Sequence, residues 1–330
     1  MAEPTVIEQI DRAIDALLAR RDSAPPADTE VGGLLRLAAD LRDLPRADFK
    51  ARLKSELERR ATMTTSTVKP VRAGVHSVTP YLAVRQAEKL IEFVRQAFGA
   101  DGRVLGIGSE GGLHAEFRIG DSTVMIGGGA KWRGTPLAAS LHLYVPDADA
   151  VYQRALAAGA ASLYAPMDQP YGDREAGIED LSGNQWFIAT HKATGQAPEG
   201  FGTLTPGLRV KGAPGLVDFL KRAFGAEELS LTHAPDGSII HGEVRIGGSM
   251  LELGEAHGRW GPMPAMLLLY VDDVDTGYRR ALEAGATSTS EPADQPYGGR
   301  VAAVADAFGN LWYLSTWEQW GSTPQAPGKV

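Results

Sequence analysis

The stretch Asp168–Gly172 reads DQPYG, and Asp294–Gly298 reads DQPYG again, 126 residues later. In each case an arginine follows two residues on (Arg174, Arg300), and then a Gly-Asn-x-Trp (Gly183–Trp186, Gly309–Trp312). Working outward, Ser140–His191 aligns with Met266–Trp317 without a gap, and 27 of the 52 positions are identical. AFGA at Ala97–Ala100 returns at Ala223–Ala226, and HAEFRIG at His114–Gly120 returns as HGEVRIG at His241–Gly247. The repeated unit is about 120 residues long, which makes it a domain and not a solenoid turn. The expected boundaries are 72–192 for repeat one and 200–318 for repeat two. A Gly-, Pro- and Ala-containing linker, Lys192–Gly200, lies between them.

Residues 1–64 fall outside the repeat. Ile7, Ile10, Ile14, Leu17 and Leu18, then Leu34, Leu37 and Leu41, then Phe49, Leu53 and Leu57 are spaced for three short helices. The whole chain of 330 residues has a net charge of −8 and no cysteine. That composition argues against nucleic acid as a partner, because phosphate binding needs a basic field. It also excludes disulfides and thiolate chemistry. No run approaches the length of a membrane span, so no membrane partner and a cytoplasmic location are expected.

Within each repeat the pattern is strand, helix and three strands, done twice. In repeat one the expected strands are Val75–Val84, Val104–Gly108, Leu113–Ile119, Thr123–Gly127, Leu141–Val145, Ser162–Ala165, Ala176–Asp180 and Gln185–Thr190. The expected helices are Ala87–Phe98 and Asp147–Ala158.

These residues resemble the vicinal oxygen chelate superfamily of glyoxalase I, bleomycin-resistance proteins and extradiol dioxygenases. The resemblance is carried by TPYLAV, FVRQAFGA, HAEFRIGDSTVMIGG, SLHLYVPDADAVYQRALAAGA and DQPYGDREAGIEDLSGNQWFIATH. The AFGA, QPYG and GNxW signatures look most like its PhnB-like branch. The resemblance implies an α+β fold: two tandem vicinal-oxygen-chelate domains, each of paired βαβββ modules, preceded by a short α-helical N-terminal region. It also implies clefts formed by curled half-sheets, and a pseudo-dimer within one chain. In metal-dependent members, ligands stand on the first, fourth, fifth and eighth strands. Here those places fall on Thr79, Met125, Ser140 and Phe187 in repeat one, and on Thr205, Glu252, Met266 and Tyr313 in repeat two. Only Glu252 is a good donor, so no metal and no other cofactor is expected.

Strand alternation sorts the remaining faces. Leu113, Ala115, Phe117 and Ile119 should pack inward, as should Ile240, Val244 and Ile246 in repeat two. The opposite face then carries His114, Glu116 and Arg118, or His241, Glu243 and Arg245. With each repeat building its own cleft, the first would hold Tyr81, His114, Glu116, Arg118, Met125, His142, Tyr144 and Phe187. The second would hold Arg209, His241, Glu243, Arg245, Glu252, Met266, Leu268, Tyr270 and Tyr313. Trp132 and Trp260, in loops after the fourth strand of each repeat, are candidate lids. A His-x-Glu-x-Arg row is also what a solvated face with cross-strand ion pairs looks like. Tyr144 and Tyr270 read equally well as core aromatics, and Trp186 and Trp312 read as core. Arg174 and Arg300 are expected to hold the turn acids Asp168 and Asp294.

Two functions follow. The first is a metal-independent protein that binds a small-molecule ligand, an antibiotic or metabolite, in an aromatic cleft. The second is an isomerase, cyclase or lyase using His142 with Glu116, or Glu252 with His241 and Arg245, as acid and base, with Arg118 holding an oxyanion. A homodimer through the N-terminal helices would be a third feature. The repeats differ most at His142 against Leu268, and after the turn, where DREAG (Asp173–Gly177) faces GRVAA (Gly299–Ala303).

Overall fold

Sixteen strands and four helices follow one another along the chain in a computed structural model that describes residues 76–108, 111–295 and 299–316. The expected N-terminal helices, and any dimer they would make, lie outside the described residues.

Repeat one supplies β1 (Val78–Val84), α1 (Ala87–Phe98), β2 (Asp101–Ile107), β3 (Leu113–Ile119) and β4 (Ser122–Gly128). It continues with β5 (Ser140–Tyr144), α2 (Ala148–Ala157), β6 (Ala161–Asp168), β7 (Asp173–Glu179) and β8 (Gln185–His191). Repeat two supplies β9 (Leu204–Val210), α3 (Ala213–Phe224), β10 (Glu227–His233), β11 (Ile239–Ile246) and β12 (Ser249–Glu255). Then follow β13 (Met266–Tyr270), α4 (Val274–Glu283), β14 (Thr287–Asp294), β15 (Arg300–Ala305) and β16 (Leu311–Ser315). The order βαβββ is met four times. Strand β6 runs past its expected end through Pro166. It is an edge strand with an irregular register between Tyr164 and Met167, where a residue without an N–H costs no ladder bond.

The helices start and stop for local reasons. Asp147 caps α2 by accepting from the Ala150 N–H at 2.9 Å, and Asp273 caps α4 through the Thr276 N–H at 3.0 Å. Helix α1 ends at Gly99 in the left-handed conformation, and α3 ends likewise at Gly225. Ala87, Leu90, Ile91, Phe93, Val94 and Ala97 make the buried face of α1.

Each repeat keeps its own hydrophobic core. One joins Leu82, Phe93, Phe117, Leu141, Tyr152 and Trp186; the other joins Leu208, Phe219, Leu251, Leu267 and Trp312. The sheets do not respect that division. One eight-stranded sheet runs β14-β15-β16-β13-β1-β4-β3-β2, and the other runs β10-β11-β12-β9-β5-β8-β7-β6. The seams are antiparallel: β1 against β13, with Thr79 opposite Leu268, and β5 against β9, with His142 opposite Thr205. The clefts expected within each repeat are therefore corrected. Cleft one joins the first half of repeat one to the second half of repeat two, and cleft two joins the two middle modules. Alternation along a strand fixes which face a side chain uses, but it carries no information about which half-sheet lies next door.

The Gly-Asn-x-Trp motifs are structural in both repeats. Trp186 Nε1 donates to Asp180 Oδ2 at 2.9 Å, and Trp312 Nε1 to Asp306 Oδ2 at 3.0 Å. Asn184 and Asn310 accept from the Ala139 and Ala265 N–H groups, each at 3.0 Å, tying the last strand of each module to its first. The DQPYG turn at Asp168–Gly172 closes with Gln169 N donating to Asp173 O at 2.7 Å, and Gly172 has a φ of 101°. In the second copy Pro296–Gly298 lie outside the described residues. Arg174 reaches Asp168 at 3.4 Å as expected, but its shorter bond, 2.7 Å, goes to Asp149 in the first turn of α2.

Candidate functional site

Cleft two has at its floor one histidine between carboxylates. His142, on β5, places Nδ1 2.9 Å from Glu252 Oε1 on β12, and Nε2 3.5 Å from Glu175 Oε2 on β7. Its side chain is only 9% exposed. Burial alone would lower the imidazole. Glu252, at hydrogen-bond distance, and then Glu175 and Asp173 outweigh burial and raise it to about 9. Burial likewise favours a neutral Glu252, and the facing His142 overrides it and holds the carboxyl below its ordinary value. The result is a buried imidazolium–carboxylate pair that bridges the two repeats.

A polar chain continues from it. The Tyr144 ring stacks on His142 with centroids 4.5 Å apart, and its hydroxyl donates to Asp173 Oδ2 at 3.2 Å. Asp173 Oδ1 lies 2.7 Å from His191 Nδ1. On the other side the Tyr164 hydroxyl donates to Glu175 Oε1 at 2.5 Å. Burial and then the adjacent acids push both phenols well above the ordinary tyrosine range, so they stay neutral donors.

The walls are aromatic. Trp260, from the loop after β12, meets Phe187 edge-on at 5.8 Å and Tyr164 at 6.4 Å. The guanidinium carbons of Arg209 and Arg259 stand 5.3 and 4.6 Å from the Trp260 ring. Arg209 also donates to Gln185 Oε1 at 2.7 Å, a second tie between the repeats. Trp260 thus packs between two aromatic rings and two guanidinium groups at this cleft.

Cleft one is less charged. The rings of Tyr313, Tyr81 and His114 form a near-parallel row, with centroids 6.4 and 5.5 Å apart. Tyr81 Oη lies 3.0 Å from His114 Nδ1, and burial, partly opposed by Glu116, holds His114 below the ordinary histidine value. Trp132 packs on Arg85, whose Nη1 donates to its carbonyl.

Several expectations are corrected by this geometry. His142 and Glu116 were expected to work together, but they face different clefts, because β3 and β5 belong to different sheets. Glu252 was paired with His241 and Arg245. Its partner is His142, while His241 lies 3.4 Å from Glu243 and Arg245 bonds Glu227 on the edge strand β10. Arg118 is exposed at the sheet end, donating to the Gly120 carbonyl at 3.3 Å. Tyr270 is 9% exposed, and on β13 it alternates with the core residues Leu267 and Leu269, so it shares the cleft face with Leu268 as expected. Ile240 was expected inside and is 55% exposed. A bulge pairs Thr232 with His241 and His233 with Ile239, skipping Ile240, so Ile239 takes the buried place. The working residues not singled out beforehand as site residues are Asp173, Glu175, Tyr164 and His191. Only the divergence of DREAG from GRVAA signalled the first two.

The sequence comparisons agree with this architecture. Residues 201–314 match the model of the glyoxalase/bleomycin resistance protein/dioxygenase superfamily. An uncharacterized protein of Mycobacterium bovis is 38% identical over 122 residues, covering 34% of this chain and 80% of that one. The chain belongs to the glyoxalase/bleomycin resistance protein/dioxygenase superfamily. The anthracycline biosynthesis protein DnrV of Streptomyces peucetius is 30% identical over 199 residues, 56% of this chain and 67% of that one. Glyoxalase I from Zea mays shares the fold at 14% identity with a TM-score of 0.57, over 72% of this chain and 92% of the maize chain.

The superfamily's metal-binding strand positions can be regrouped by the observed clefts. Cleft one brings together Thr79, Met125, Met266 and Tyr313; cleft two brings together Ser140, Phe187, Thr205 and Glu252. A transition metal needs three or four nitrogen, sulfur or carboxylate donors in fixed geometry. One carboxylate, already bound to His142, does not fit that requirement. Among the described residues no group of three or more His, Asp or Glu side chains is arranged to hold a metal. Among the same residues, no helix is long and apolar enough to cross a membrane.

Proposed function

We propose that this chain is a metal-independent small-molecule-binding protein of the PhnB-like type, acting in the cytoplasm, and that cleft two is its working site. The observation that carries the reading is the construction of that cleft. Phe187, Tyr164 and Trp260 wall it, and a floor in which His142 sits between Glu252 and Glu175 stands in place of the donors of a metal centre. Aromatic walls around a few fixed polar groups are how proteins hold small planar ligands. The relative named for anthracycline biosynthesis supports an antibiotic or related metabolite as the ligand.

A second reading has its own support. His142 and Glu252, 2.9 Å apart, form an acid–base pair suited to an isomerase, cyclase or lyase. Held as an imidazolium, His142 would act as the acid.

Native mass spectrometry with elemental analysis of the purified chain decides between these readings. The binding reading expects substoichiometric transition metal and an organic adduct that is lost on denaturation and released unchanged. One equivalent of metal per chain overturns it. Conversion of the released compound on reincubation favours the second reading.

A further inference from the structure

Two buried polar atoms in cleft two have no hydrogen-bond partner among the described residues, and they belong to facing residues. They are His142 Nε2 and Thr205 Oγ1. His142 and Thr205 stand opposite each other across the β5–β9 seam, on the same face. Facing side chains of an antiparallel pair have Cβ atoms about 5 Å apart, so one small group can touch both. Burying a donor and an acceptor without partners is costly, and native structures avoid it unless something else fills the place.

What fills it is set by the chemistry of His142. Its Nδ1 is committed to Glu252 at 2.9 Å, and Glu252, Glu175 and Asp173 keep the ring protonated. Nε2 then carries a hydrogen and no lone pair. As a donor it calls for an acceptor oxygen. Glu175 Oε2, 3.5 Å away, is too far for a good bond to Nε2 and is placed to receive a hydrogen from the same group. The Thr205 hydroxyl donates or accepts as required.

We propose that the floor of cleft two is an oxygen-recognition subsite. There His142 Nε2–H donates to a hydroxyl or carbonyl oxygen of an aromatic ligand, and Thr205 Oγ1 completes its hydrogen bonding. The inference rests on the binding reading above and adds the ligand's class: hydroxy- or keto-substituted aromatics over plain ones. Cleft one has no equivalent of this subsite. Its counterpart of His142 is Leu268, so the two clefts differ in what they select.

The test is equilibrium dialysis of the full chain against 2-naphthol and against naphthalene, which differ only in the hydroxyl. The subsite predicts a preference for 2-naphthol of roughly tenfold or more, the value of a charge-assisted hydrogen bond in a buried site. His142→Leu, which copies the second repeat, should erase the preference. Thr205→Val, which removes only a hydroxyl, should reduce it roughly threefold or more, and it decides the matter if the first variant does not fold. If wild type binds both compounds equally, a trapped water fills the place; this inference falls while the binding reading stands. A preference kept in both variants also overturns it. If neither compound binds, both readings fall together.

Discussion

His142 stands where the second repeat has Leu268, and its charge makes the stability of the molecule depend on pH. Its proton affinity is higher folded than unfolded, so its contribution is complete below the ordinary histidine value of 6.5. That contribution is lost as pH rises towards about 9. Glu252, held below its ordinary value, contributes in the opposite direction: its share is present above the ordinary carboxylate range and lost in acid. Urea unfolding should therefore give a free energy that falls by a few kcal/mol, to order of magnitude, between roughly pH 6.5 and 9.5. Glu252→Gln removes the main source of the raised affinity, and in that variant the fall should shrink to a minor one. A wild-type profile as flat as that of the variant would show that the pair is not ionised in the fold.

At the scale of the strand, Tyr81 owes its position to a missing side chain. A Cβ on Gly127 would lie 2.1 Å from Tyr81 Oη and 2.6 Å from Cζ, so the ring leans across β4 only because that residue is glycine. Gly127→Ala should swing Tyr81 out, break its contact with His114 and widen cleft one. The expected cost is about 1–3 kcal/mol for overpacking. His114, less buried, should then titrate closer to 6.5, which NMR of its ring protons would report. An unchanged titration would mean that Tyr81 does not shield it. Strand-scale features of this kind were unevenly legible in the sequence. Period-two alternation gave the faces of β3 correctly, with Ala115 and Phe117 inside and His114 and Glu116 outward. It failed on β11, because the bulge at Ile240 shifts parity and no residue there announces it. His142 was legible as a difference between the repeats, and so were Asp173 and Glu175. Their meeting was not, since it depends on which strands become neighbours.

That neighbour relation belongs to the whole molecule. Two repeats can pair their half-sheets within each copy or across copies, and strand pattern alone favours neither. The observed exchange leaves each helix pair in the core of its own repeat, and one residue crosses at each seam, Leu204 into the first core and Val78 into the second. What the exchange changes is the composition of the clefts: it is why His142 of one repeat meets Glu252 of the other. It also makes the linker between repeats the join on which both clefts depend, as in a domain-swapped dimer written as one chain. The chain has no cysteine, so the arrangement can be read covalently. Val78 lies opposite Leu269 across the β1–β13 seam, a separation within disulfide reach for facing residues of an antiparallel pair. Val78→Cys with Leu269→Cys should oxidise to a single intramolecular bridge between the repeats, found by peptide mapping as a linked pair. Val78→Cys with Leu143→Cys, the bridge that pairing within one repeat would allow, should stay reduced. The reverse result would return each cleft to one repeat and take apart the site built on His142 and Glu252.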